Sequence, residues 1–292
     1  MTAIVHPLRF QIGARTLASV PRRLHRVGLG LAEVLGRAMP ALPPLAPGDA
    51  GWLVTSVPED RVDVPAGYLT LVRQRYERHY LDLARGEAAW LAGLSGSARS
   101  GIKRKAKKVA EASGGTLDVR RYHDAAGFAA FHPLARAVSA RTYQERLLGA
   151  GLPEDPTTLI ARAGRDEVRA WLLFLADEPI AYLACTADGA VLRYDHVGHD
   201  PAHAALSPGA VLQVEALREL FGDRFAWFDF TEGEGQHKRQ FASGSVACVD
   251  LLILRPTLAN RVLAAALTGF DRAIAWGKQS PAVARLGARL RR

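Results

Sequence analysis

The sequence predicts an α+β fold in which a mixed, strongly twisted sheet is flanked by helices. Three observations predict it. Apolar runs of strand length recur at 169–176, 180–186, 191–197, 225–230 and 246–254, each bounded by Gly, Pro, Asp or Glu. Longer stretches with apolar residues at helical spacing fall between them, notably 125–139 and 209–221, so strands and helices interleave. The chain has 292 residues, 49% of them hydrophobic, enough to bury one large core or two modest ones.

Taken in order, residues 16–39 place Leu17, Val20, Leu24, Val27, Leu31 and Leu35 close to helical spacing, with Arg22, Arg23, Arg26 and Arg37 between them. This reads as a basic amphipathic helix interrupted at Pro21. The proline-rich linker 40–48 follows. Gly51 to Ser56 and Tyr68 to Arg73 read as short strands, and Arg75 to Leu94 as a helix carrying Tyr76, Tyr80, Leu83, Trp90 and Leu91. Six cations lie between Arg99 and Lys108 with no acid among them; on a helix, Ile102, Ala106 and Val109 would form the opposite, apolar side. Leu117 to Tyr122 is a strand, Ala125 to Ser139 a helix, and Tyr143 to Leu148 a second short helix. Asp177-Glu178-Pro179 turns one apolar strand into the next. Beyond Pro256 comes a helix with Leu263, Leu267, Phe270 and Ile274, then a basic stretch from Pro281. The expected organisation is a basic N-terminal segment and linker (1–48), an α/β part (49–114), a main α/β core (115–255) and basic amphipathic C-terminal helices (256–292).

The formal charge of +9 is unevenly placed. Six Arg and one Glu in 1–40, and eight Lys or Arg and one Asp in 255–292, put the basic excess at the two ends. Mixed with Leu, Val and Phe, such ends suit an anionic membrane surface, and nucleic acid ranks well behind for want of a binding module. No apolar run is long enough to span a bilayer, and the first residues lack the apolar middle of a secretory signal. Cys185 and Cys248 each sit in an apolar strand run, as buried thiols of a reducing cytoplasm do. The expected location is therefore cytoplasmic, peripheral on the inner membrane.

The candidate site lies between Leu192 and Ala242. Ser207-Pro208-Gly209 opens a helix, and a proline in a first turn costs no hydrogen bond because its missing amide would be unpaired there. The remaining amides and the positive end of the helix dipole suit a phosphate or diphosphate. Ser207, Gly209 and Ala210 are thus cofactor-binding candidates, with Lys238 and Arg239 as further cations and Val197, at the end of the strand before this corner, as a further candidate. Tyr194 and His196 alternate with Arg193 and Asp195 along one strand, so one pair faces away from any cleft. Asp195, His196, His199, Asp229, Glu232, Glu234 and His237 are the candidates for moving a proton, carboxylates and imidazoles near two strand ends. Tyr143, Tyr194, His199, Glu232 and Arg104 are candidates for substrate contact. A zinc site on His196, His199 and His203 is disfavoured because Gly198 and Pro201 break a helix there and no thiolate is near. No Gly-x-Ser-x-Gly elbow occurs.

Leu206-Ser207-Pro208-Gly209, Phe228-Asp229-Phe230, Gly235-Gln236-His237-Lys238-Arg239-Gln240-Phe241 and the basic run Arg99 to Lys108 together resemble the GNAT acyltransferases. The likeness is to the branch similar to cellulose-biosynthesis accessory proteins and related to the Fem-type aminoacyltransferases, with a bacterial ceramide-synthase-like character, and covers 95–255. It departs from the family in two places: Ser-Pro-Gly stands for the Gly-rich diphosphate loop, and His237 for a tyrosine. The resemblance implies a GNAT-type sheet, with 49–114 open to being a degenerate GNAT-like half. It implies an acyl-CoA donor, no metal, and N-acyl transfer to a primary amine, with splayed strands around 191–197 and 225–230 taking the pantetheine arm. The basic ends favour a sphingoid-type long-chain amine as acceptor. An amino sugar of an envelope polysaccharide precursor, an aminoacyl-tRNA-dependent transfer, and a non-catalytic scaffold are the alternatives.

Overall fold

The computed structural model describes residues 2–12, 15–37, 40–142, 145, 151–233 and 235–279. In chain order the strands are β1 (Ile4–Ile12), β2 (Arg15–Gly28), β3 (Gly51–Pro58), β4 (Leu69–Asp82), β5 (Asp118–Tyr122), β6 (Val168–Leu175), β7 (Glu178–Asp188), β8 (Val191–His199), β9 (Trp227–Asp229) and β10 (Gly244–Leu254). The helices are α1 (Leu31–Leu35), α2 (Gly86–Gly93), α3 (Gly96–Ala112), α4 (Ala125–Ser139), α5 (Thr157–Ala163), α6 (Pro208–Leu220), α7 (Gln236–Phe241) and α8 (Leu258–Gln279). The short helix expected at 143–148 and the basic stretch from Pro281 lie outside the described residues. Among the described residues no helix is long and apolar enough to cross a membrane. The chain forms two compact units, Met1–Tyr76 with Ala247–Arg292, and Glu77–Val246.

In the first unit the expected basic helix at 16–39 is corrected: the chain there is β2 followed by the single turn of α1. β1 and β2 pair antiparallel, with Pro7 opposite Pro21. β2 gains its second neighbour, β3, only from Leu24 onward, so Pro21 sits where a missing ladder donor breaks no second pairing. Gly51, opening β3, could carry no side chain, since a Cβ there would lie 1.9 Å from the Ile253 carbonyl oxygen. Leu263 and Leu267 of α8 bury against Leu8, Leu24, Leu71, Leu252 and Leu254, and Phe270 meets Phe10 edge-on.

The second unit holds the strand order β4-β9-β8-β7-β6-β5. β9 and β8 are the parallel pair; the pairings β4–β9, β8–β7, β7–β6 and β6–β5 are antiparallel. The chain expected to be helical from Arg75 stays extended to Asp82 and becomes α-helical only at Gly86. The turn between β6 and β7 is Ala176-Asp177, both at positive φ (48° and 65°), the geometry that matches the twist of a two-residue hairpin.

Both faces of this sheet are covered. Trp171 and Leu173 of β6 and Leu183 and Cys185 of β7 pack with Val211, Leu212 and Leu217 of α6 and with Ile102 and Val109 of α3. The alternate positions, Leu172, Phe174, Tyr182 and Ala184, pack with Phe128 and Phe131 of α4. Two-sided burial explains why β6 and β7 read as nearly continuous apolar runs and not as alternation. Each such Leu or Phe contributes about 1.5–3 kcal/mol, well above any strand propensity. Cys185 and Cys248 are both buried and form no disulfide.

Candidate active site

β8 and β9 pair over only three positions, Val191 with Trp227, Leu192 with Phe228 and Arg193 with Asp229. β8 then continues six residues further, to His199, without β9 beside it. Along this free edge the strict alternation expected from the sequence is broken. Cys185 faces Tyr194 and Ala184 faces His196, so Asp195 is the extra residue of a β-bulge. Its carboxylate accepts from the Thr186 amide at 3.1 Å and from the Thr186 hydroxyl, and pairs with Arg193 at 3.3 Å. Tyr194 and Val197 consequently share the α6 side of the sheet, and His196 does not share it with Tyr194. Gly198 is required for packing: a Cβ would come within 2.5 Å of the Tyr182 ring.

After β8 a 3-10 turn, Pro201–Leu206, leads into α6 through Ser207, which adopts left-handed φ 54° and ψ 48°. The Ser207 hydroxyl makes no capping bond. Its amide donates to the Ala204 carbonyl, while its own carbonyl accepts from Ala210 at 3.1 Å and Val211 at 3.2 Å. With no N–H on Pro208, the amide left without a partner among the described residues at this corner is that of Gly209. The sequence reading expected several free amides; the structure offers one, at the positive end of a 13-residue helix.

This corner opens onto a cleft of about 610 Å³. Six sequence candidates meet in its walls: Tyr194, Val197, His199, Ser207, Gly209 and Ala210. Three more polar residues line it: Lys105, inside the basic run Arg99 to Lys108 but not singled out there, and Thr142 and Gln213, which the sequence reading missed. Lys105 had a signal, because it lies three residues after Ile102 and four before Val109, both buried, and therefore near the inner face of α3. Lys108 on the same helix donates to the Ala205 carbonyl at 2.9 Å, tying α3 to the 3-10 turn. Gln213 is 3% exposed, and its Nε2 has no hydrogen-bond partner. A buried amide donor left unpaired costs about 1–3 kcal/mol, so its position in the cleft wall asks for an acceptor from a ligand.

The other candidates lie elsewhere. Asp229 is fully buried and bonded through both oxygens to Arg78, at 2.6 and 3.2 Å, and it accepts from the Thr231 amide at 2.8 Å. It closes the end of β9 and is not part of the cleft wall. Lys238 is 8% exposed and donates to the Glu232 carbonyl at 2.7 Å, holding the loop. Glu232, Arg239 and Arg104 are exposed and do not line the cleft. Tyr143, Glu234 and the side chain of His237 lie outside the described residues.

The titratable groups of the wall are Lys105, Tyr194 and His199. Burial against Phe228 and Phe230 pushes the Tyr194 phenol well up, so it keeps its proton at neutral pH and can donate a hydrogen bond. His199 is exposed at the corner, its Nδ1 3.6 Å from where a Gly209 Cβ would sit. Burial holds His196 below the usual imidazole range, against the opposing pull of Asp195 and of a bond to the Gly151 backbone. The cleft therefore combines an anion-seeking helix corner, a cation, an exposed imidazole and a phenol.

Residues 96–239 match the family described as Acetyltransferase (GNAT) domain. Comparison with curated proteins gives no match. Among solved structures, the C-terminal domain of a putative lysylphosphatidylglycerol synthetase from Agrobacterium fabrum is similar, with TM-score 0.54 and 11% identity over 76% of this chain and 72% of that one. L-PGS from Bacillus licheniformis (TM-score 0.45, 12% identity, 73% and 71% covered) and FemX (0.46, 10%, 87% and 89%) are also similar. At 11% identity the first of these structures shows a likeness of fold alone, and with the family match the fold is a GNAT-like, twisted mixed sheet flanked by helices.

Proposed function

We propose, from the match of residues 96–239 to the Acetyltransferase (GNAT) domain family, that the cleft transfers an acyl group from acyl-CoA to a primary amine. The observation that carries this is the parting of β8 and β9 beside the Ser207-Pro208-Gly209 corner. The free edge of β8 from Tyr194 to His199 is a rail on which the amides of a pantetheine arm can pair. The Gly209 amide, the α6 dipole and Lys105 favour the diphosphate at one end. Gln213 lies four residues further along α6, about 6 Å by helical rise. That is the reach from a diphosphate to the first carbonyl of the arm, which would satisfy the Gln213 Nε2.

In the reaction the amine nitrogen attacks the thioester carbon, the C–N bond forms and the C–S bond breaks. His199, the imidazole of the wall, takes the proton from the amine. The thiolate leaves with a hydrogen bond from the Tyr194 phenol and takes its proton from solvent, to which His199 releases the proton of the amine. Asp229 holds β9 through Arg78 and touches no reacting atom.

The acceptor is a primary amine. The long-chain amine suggested by the basic ends has lost one support, since residues 15–28 are a strand. It keeps α8, with Leu258, Val262 and Trp276 exposed. Free-thiol release from acyl-CoAs of graded length, with sphingoid bases in one arm and amino sugars in the other, decides between the acceptors. Saturable release in either arm supports acyl transfer; its absence in both, with folded protein, overturns it. The second reading, transfer from an aminoacyl-tRNA, is favoured by the exposed Lys103 and Arg104 of α3. It predicts tRNA binding that weakens steeply with salt.

A further inference from the structure

The N-terminal arginines, read from sequence as one face of a helix, are dispersed by the β1–β2 hairpin. Arg22 donates to Asn260 and to the Pro21 carbonyl, and Arg23 pairs with Asp49. Arg9 and Arg26 have no ion pair or hydrogen bond among the described residues. Both open instead into a cleft of about 370 Å³ that belongs wholly to the first unit. Arg73 and His6 are in the same walls.

The charge of this cleft is poorly balanced. His6 is held below the usual imidazole range first by burial, then by Arg26 and by Arg9, which places both guanidiniums within electrostatic reach of its ring. Arg73 is answered by Asp271 of α8 at 2.7 Å. The one carboxylate in the walls, Asp250, is occupied: it accepts from the Ser56 amide at 3.0 Å and from the Tyr76 hydroxyl at 3.1 Å. The exposed guanidiniums of Arg9 and Arg26 stand against the single charge of Asp250, with which neither forms an ion pair, so the cleft keeps a positive excess beside a partly buried imidazole, and an anion between the two arginines removes their repulsion. The planar forks of arginine match tetrahedral oxyanions in particular. Leu8 and Leu53 in the same walls give an organic body attached to that anion an apolar surface.

We propose that this cleft binds a phosphate group, with Arg9 and Arg26 as its ligands and His6 beside it. The site is independent of the acyl-transfer cleft, and it stands or falls separately from that reading. The phosphate belongs either to a lipid headgroup or to a free phosphorylated molecule.

The test uses the full chain, with the His6 imidazole resonances followed by NMR through a pH titration with and without inorganic phosphate. Bound phosphate should raise the His6 pKa, since an anion offsets the two guanidiniums that add to the effect of burial. Replacing both arginines, Arg9→Gln with Arg26→Gln, should weaken phosphate binding about tenfold or more, and Arg26→Lys should keep part of it. Neither arginine makes a contact that folding needs, so the thermal midpoint of the double variant should stay near that of the parent. In parallel, flotation with phosphatidylglycerol and phosphatidylcholine vesicles identifies the source. Partition onto anionic vesicles that the double variant loses assigns a headgroup; phosphate binding without partition assigns a free phosphorylated ligand. An unmoved His6 titration together with equal vesicle behaviour of parent and double variant overturns the proposal.

Discussion

β8 and β9 leave their short parallel ladder at the same level, Arg193 beside Asp229, and then meet opposite fates. β8 runs on with one edge free, and its last residues line the cleft. β9 stops, and its terminal carboxylate is locked to Arg78 at no exposure on either side. By sequence the two strand ends look alike, each an apolar run ending in Asp and followed by His, Gly and more acid. The difference teaches that the free strand edge, and not the acid near its end, makes the site: Asp195 pairs with Arg193 and Asp229 with Arg78, and neither lines the cleft.

The largest expected effect breaks the closed end. Asp229→Asn leaves the buried guanidinium of Arg78 short of its carboxylate and should cost about 3–5 kcal/mol, read from urea unfolding. A double replacement by apolar residues, Arg78→Met with Asp229→Leu, should recover most of that loss. If Asp229→Asn instead leaves stability unchanged and stops turnover, the contrast between the two strand ends is wrong.

At the open end, His199→Ala should lower kcat about 100-fold or more. His196→Ala, on the residue that the bulge turns away from Tyr194, should leave kcat near that of the parent. Equal effects from the two would mean that the bulge does not divide their roles.

Gln213→Leu sharpens the comparison from within the cleft wall. Removing an unpaired buried amide should leave the thermal midpoint level or raise it, while KM for the acyl donor rises about tenfold, the loss of one hydrogen bond of roughly 1.4 kcal/mol. A fall in both stability and affinity would make the residue a packing element.

The smallest effect lies away from both strand ends. Asp166 is held at about 2, from an ordinary 3.8, first by its bond to Arg169 and then by Arg224. A carboxyl depressed on folding stabilises the fold above its unfolded value, and that contribution is lost as pH falls through the folded one. The midpoint should therefore decline between pH 3.8 and about 2, and Asp166→Asn should flatten that decline slightly, as befits a half-exposed pair.

Much of the second unit was legible because its signals are local. The pattern at 125–139 gave α4 to the residue, and Ser207-Pro208-Gly209 announced α6. The N-terminal hairpin was not legible: Leu17, Val20, Leu24 and Val27 fall at helical intervals by chance, and the pairing with β1 that makes them a strand is not written in the spacing. Nor could Arg78 be matched to Asp229 across 151 residues, although that pairing decides what Asp229 does. Lys105 could have been found from the buried Ile102 and Val109 around it. The Asp195 bulge could not, because one extra residue in a strand leaves no mark in an apolar pattern.

The most direct measurement is a calorimetric titration of CoA into the parent chain and into Gly209→Asp and Gly209→Ala. Aspartate in the first turn suits the helix dipole, so that variant should fold at least as well as the parent, and a Cβ at Gly209 meets only ordinary contact with His199. The account predicts heat with the parent, nearly the same with Gly209→Ala, and none with Gly209→Asp. Equal binding by all three, or no heat with the folded parent, would contradict it.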